Sequence, residues 1–99
     1  MFANSFLGTI ILIAGLVLFT FPPKKINSFY GYRTGQSMDN LRSWTFANKL
    51  SSRLLILSGA ILILVETVTG NFIVTLVLSF VFLILIFILV ERKLKRMNE

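Results

Sequence analysis

The stretch KKINSFYGYRTGQSMDNLRSWTFANKL, residues 24–50, carries most of the side chains in this chain that could do chemistry. Gly31 and Gly35 bracket Arg33, and glycines permit backbone conformations that other residues adopt only at a cost. YGYRTG therefore reads as a tight turn that aims Arg33. A guanidinium is a planar, multi-donor fork suited to a carboxylate, a phosphate or converging carbonyls. It can equally cap a helix end or lie among lipid headgroups, and both readings stay open. Ser37 or Asp39 is expected to cap the helix that follows, by accepting from its free amides. On that helix Asn40, Trp44, Ala47, Asn48 and Ser51 share one stripe at steps of three and four, while Arg42, Phe46, Lys49 and Arg53 share another. The first stripe suits packing against polar backbone, and the second suits lipid phosphates or an acidic partner. Asn27, Asn40 and Asn48 are candidates to tie down the loop. Trp44 is expected at the depth where indole rings gather at a membrane interface, with Tyr30 and Tyr32 nearby.

Several chemistries are excluded by what is absent. There is no cysteine and no histidine, so disulfides, thiol nucleophiles and the commonest metal ligand are all missing. The acidic residues Asp39, Glu66, Glu91 and Glu99 are scattered along the chain, and no acid–base or metal set can be assembled from them in one copy. The chain is therefore expected not to be an enzyme and to hold no cofactor and no metal. The net charge of +6 does not make a nucleic-acid stripe, because the basic residues cluster where apolar runs stop. Glu66, beside the turn ETVTGN where water is close, is a candidate proton-coupling group. It supports an alternative function as a small membrane transporter or exporter subunit.

The elements that must position these residues are apolar. Of 99 residues, 56% are hydrophobic and only 14% charged; a bilayer can cover that much apolar surface where a soluble domain of this size cannot. The fold class expected is an all-α membrane protein with three transmembrane helices and an interfacial extension at the start of helix 2. Residues 1–99 form a single membrane domain, with spans at about 2–21, 49–68 and 71–90 and a motif loop at 22–48. The first run is read as an uncleaved span, since FPPKK follows it in place of a small-residue cleavage site. Pro22 and Pro23 end it. The third is closed by the basic stop ERKLKR. All ten Lys and Arg residues fall on the motif side of these spans and none on the other. The positive-inside rule then puts the N-terminus outside, with the motif and the C-terminus in the cytoplasm beside anionic headgroups. Small residues (Ser5, Gly8 and Gly15 in the first span, Ser58 and Gly59 in the second, Thr75 and Ser79 in the third) let helix backbones approach, chiefly within one copy. They leave the oligomeric state open.

The motif resembles the signature of the SdpI family of bacterial membrane proteins: an Asn, a Gly-Tyr-Arg-Thr turn, a Ser-Met and a Trp-x-x-Ala-Asn helix. The matching positions are Asn27, Gly31, Tyr32, Arg33, Thr34, Ser37, Met38, Asn40, Trp44, Ala47 and Asn48. The resemblance implies a multi-pass protein of the bacterial cell membrane that gives immunity to a secreted, membrane-active peptide toxin. It also implies signalling, by holding a transcriptional regulator at the membrane. Its partners would then be the bilayer, a peptide toxin or a cytoplasmic regulator, with no nucleic acid. This chain is shorter than the family's named member and resembles its small, single-unit members.

Overall fold

A computed structural model describes residues 6–27 and 29–97. Three helices follow in order: α1 (Phe6–Thr20), α2 (Leu41–Thr69) and α3 (Phe72–Met97). The helices α2 and α3 are long and apolar enough to cross a membrane, while α1 is apolar but shorter. Its 15 residues rise about 22 Å, short of a hydrocarbon core of about 30 Å. The span expected over 2–21 reaches into residues 2–5, which lie outside the described residues, as does Ser5.

The middle of the chain is one continuous helix. The segment expected to be an interfacial extension is the first two turns of α2 itself. Asn40 caps it: its backbone is extended (φ −157°, ψ 167°) and its side chain accepts from the Ser43 amide. Neither Ser37 nor Asp39 does so, which corrects the sequence expectation. At the far end the connection to α3 is only Gly70 and Asn71. Gly70 adopts the left-handed region (φ 61°) and its amide donates to the Glu66 carbonyl, while the Asn71 side chain accepts from the first amides of α3. The third helix continues through ERKLKR, the basic stretch expected to close the third span. Leu94 is the reason, being fully buried on the same face as Ile86 and Val90.

Packing is antiparallel and centred on α2. Gly8 lies against the backbone of Ile63 and Gly15 against that of Ile56; a Cβ at either glycine would stand 2.7 Å from the backbone nitrogen it faces. The small residues of α1 and α2 thus serve contact within the chain. Helix α1 packs along α2 and meets α3 only sparsely. Ala47, Ile86, Val90 and Leu94 form the buried apolar core near the motif end, with Tyr32, Leu50, Leu54 and Leu55 packed against it. Thr75 and Ser79 are buried too, each hydroxyl donating to the carbonyl four residues earlier in the chain. Most other α3 side chains face outward and are apolar.

Candidate functional site

The site is the loop 21–40 together with the first turns of α2 and the last turns of α3. It is built in three steps from short-range geometry. Asn27 forms the first: its side-chain oxygen accepts from the amides of Phe29 and Tyr30 at 2.9 and 2.8 Å, and its amide donates to the Lys25 carbonyl at 2.9 Å. That turn sends Tyr30 back toward α1, where its hydroxyl donates to the carbonyl of Phe21 at 2.6 Å, with that of Val17 at 3.2 Å. Carbonyls at a helix end have no partner within the helix, and Tyr30 supplies one.

Gly31 comes next. Its φ of +99° lies in the region only glycine enters freely. A Cβ there would collide with the Asn48 side chain and stand 2.8 Å from Pro23. This bare passage lets Asn48 reach the next residue. Its oxygen accepts from the Tyr32 amide at 2.7 Å, and its amide donates to the carbonyl of Trp44 at 2.9 Å. Asn48 is 2% exposed, so its polar groups must be satisfied inside the protein. Gly35 has no such duty. Its backbone is not left-handed and nothing approaches within 4 Å of an added Cβ, so the expectation that both glycines shape the turn holds for Gly31 alone.

The third step is Thr34–Met38. The Ser37 hydroxyl accepts from the Thr34 amide at 2.8 Å and donates toward the Thr34 carbonyl, and the Thr34 hydroxyl accepts from the Ser37 amide at 3.2 Å. The Thr34 hydroxyl is thereby turned to donate to Glu91 on α3 at 2.8 Å. Tyr32 donates to the same carboxylate oxygen at 2.6 Å, and the Gln36 amide donates to the other at 2.9 Å. Three loop side chains therefore converge on one half-buried carboxylate. Burial, then the hydrogen bond to Glu91 and its negative charge, hold the Tyr32 phenol well above its ordinary range.

Trp44 is the tie between loop and helix. It is fully buried, and its indole N–H donates to the Pro23 carbonyl at 2.8 Å. The expected interfacial anchor is a core residue, because the carbonyl that satisfies its polar edge is inside the fold. Arg33 is exposed on the turn, and Arg42, Lys49 and Arg53 line the exposed side of α2. Of the sequence candidates, Asn27, Gly31, Tyr32, Arg33, Thr34, Ser37, Asn40, Trp44 and Asn48 are thus brought into one loop–helix unit. Glu66 lies at the opposite end. It is buried, where water was expected to be close, because it shares a face of α2 with Leu62 and Gly59. Among the described residues its Oε2 has no hydrogen-bond partner.

Glu91 and Gln36 are the residues that sequence reasoning missed. The available signal was a carboxylate at the motif end of the third apolar run, directly before RKLKR. Among the described residues no group of His, Cys, Asp and Glu could hold a metal ion.

Comparison with known proteins places the same region in view. The family described as SdpI/YfhL has a model that matches residues 24–91, a stretch ending on the loop's carboxylate partner. The uncharacterized protein YfhL of Bacillus subtilis (strain 168) is 42% identical over 94 residues, which are 93% of this chain and 86% of that protein. No solved structure matches.

Proposed function

The chain belongs to the SdpI/YfhL protein family, and from that premise we propose that it is a non-catalytic protection protein of a bacterial cell membrane, acting against a membrane-active peptide toxin. What supports this reading is how the motif spends its polar groups. Asn27, Tyr30, Tyr32, Thr34, Gln36, Ser37, Trp44 and Asn48 all bond within the protein. With these groups engaged, the motif serves as a clamp joining loop, α2 and α3. What the chain presents outward is apolar helix surface, notably on α3, with a basic rim. Such a surface suits contact with a peptide inside the bilayer. The rim at Arg42, Lys49 and Arg53 suits an acidic cytoplasmic regulator or anionic headgroups.

A second reading rests on Glu66. A buried carboxyl with an oxygen that has no partner among the described residues is costly in an apolar setting and is a default candidate for ion or proton handling. It would make the chain a small transporter or exporter subunit. The two readings separate in one experiment. Cells lacking the chain are complemented with the parent or with Glu66→Gln, at matched membrane abundance, and challenged with secreted peptide toxins. The protection reading expects both to raise tolerance equally. Loss of tolerance in Glu66→Gln favours the transporter reading, and no gain from the parent overturns the protective role.

A further inference from the structure

Beneath the motif loop lies a groove of about 510 Å³, walled by α1 (Ala14, Val17) and α3 (Leu83, Phe87), floored by Leu55 of α2 and roofed by Tyr30, Gly31 and Tyr32. It exists because α1 and α3 both pack on α2 and scarcely touch each other. Its size falls within the range of small-molecule sites. Its lining is almost wholly apolar, and the polar groups at its edge are already engaged. The Tyr30 hydroxyl donates to Phe21, the Tyr32 hydroxyl to Glu91, and the Ser51 hydroxyl to the Asn48 carbonyl at 3.3 Å. An occupant would find the lining hydroxyls already engaged and the walls apolar, which favours hydrocarbon.

The rim carries the opposite chemistry. Pro23 is lodged against Gly31 of the roof and holds the Trp44 indole through its carbonyl. Lys24 and Lys25 follow it directly, both exposed, and Asn27 pins the Lys25 carbonyl. Two exposed cations thus follow directly on the residue that packs against the roof of an apolar slot. We propose that this groove is a binding site for one anionic phospholipid, with an acyl chain in the slot and the phosphate held by Lys24 and Lys25. The site goes beyond the protective role and depends only on the membrane placement stated with it. Charge complementarity picks the lipid: a zwitterionic headgroup carries its own cation toward the lysines, whereas a phosphatidylglycerol phosphate does not.

The test uses the full chain purified in mild detergent, titrated with phosphatidylglycerol or phosphatidylcholine of identical acyl chains and read by native mass spectrometry. One phosphatidylglycerol per chain should be retained, about tenfold more tightly than phosphatidylcholine. Replacing both lysines (Lys24→Gln with Lys25→Gln) should erase that preference and leave phosphatidylcholine retention unchanged. Ala14→Phe, which fills the slot, should lower retention of both. Because that variant adds bulk beside a helix contact, a size-matched probe accompanies it. Leu83→Cys in this cysteine-free chain should react with a bulky maleimide several times more slowly with phosphatidylglycerol than with phosphatidylcholine. Equal retention of the two lipids by the parent, or no protection of Leu83→Cys, overturns the site. So does a lipid-free dimer whose cross-links run through Leu83 and Phe87. None of these outcomes bears on tolerance to a peptide toxin, so this proposal and the protective role fail separately.

Discussion

Tyr32 shares with Thr34 and Gln36 the coupling of the motif to α3 through Glu91. The neutral phenol donates to Glu91, and its loss of a proton would set two negative charges at 2.6 Å in a half-buried place. Folding therefore favours the protonated form, and the raised phenol makes stability depend on pH. The sign follows from the direction. The unfolded tyrosine titrates near its ordinary value of 10.0, so the contribution is fully present below that pH and is lost as pH rises toward the folded value above it. Thermal melting in detergent should show the parent losing stability from about pH 10 upward. Tyr32→Phe should start lower and decline less over the same range, because the phenol that must ionise is gone. Glu91→Gln should also melt lower at neutral pH, by about 1–3 kcal/mol, since its amide turns N–H groups toward donors. Parallel alkaline declines for the parent and Tyr32→Phe would remove Tyr32 from the coupling.

At the scale of elements, what was legible depended on whether the cause was local. Helix α2 was legible because its buried stripe, Trp44, Ala47, Asn48 and Ser51, repeats at helical spacing. The small residues between helices follow from local rules as well, whereas ETVTGN was read as a turn and α2 runs on to Thr69 before Gly70 ends it. The cap was misassigned to Ser37 or Asp39 because several polar residues stand in a row. Only the extended backbone at Asn40 and the engagement of Ser37 with Thr34 decide among them. The Pro23 partner of Trp44 and the role of Glu91 were missed for a different reason. The partners of these two residues lie 21 and between 55 and 59 positions away, and no periodicity in one segment encodes the other. Close packing of α1 on α2 gives the prediction at this scale. A Cβ at Gly59 would meet the backbone of Leu12 at 2.5 Å. Gly59→Val should therefore separate the helices and lower the melting temperature, by an amount consistent with about 1–3 kcal/mol for overpacking. Gly35→Val, at an open position, should change it little. Equal melting of the two variants would show that α1 does not pack where the structure sets it.

The whole molecule is polarised along its length. The motif loop, the start of α2 and the end of α3 meet at one end through Asn48 and Glu91. The same end holds Lys24, Lys25, Arg33, Arg42, Lys49, Arg53, Arg92, Lys93, Lys95 and Arg96, which are all the lysines and arginines of the chain. The opposite end has the Gly70–Asn71 turn and the buried Glu66, with no lysine or arginine among its described residues. A helical unit with that asymmetry, placed in a bilayer, is oriented by the positive-inside bias, and its motif should face the cytoplasm. Gly35 is the best place to ask, because it is exposed and an added side chain meets nothing within 4 Å. The chain has no cysteine of its own, so Gly35→Cys reports alone. In intact cells it should resist a membrane-impermeant maleimide and react only after the envelope is opened, while Gly70→Ser paired with Asn71→Cys at the turn should react from outside. The clamp makes the alternative orientation hard to accommodate piecemeal, since loop, α2 and α3 are tied together and must invert as one body. Labelling of Gly35→Cys from outside would therefore invert the whole protein, move the basic rim away from any cytoplasmic regulator, and put the motif loop where a secreted peptide would meet it first.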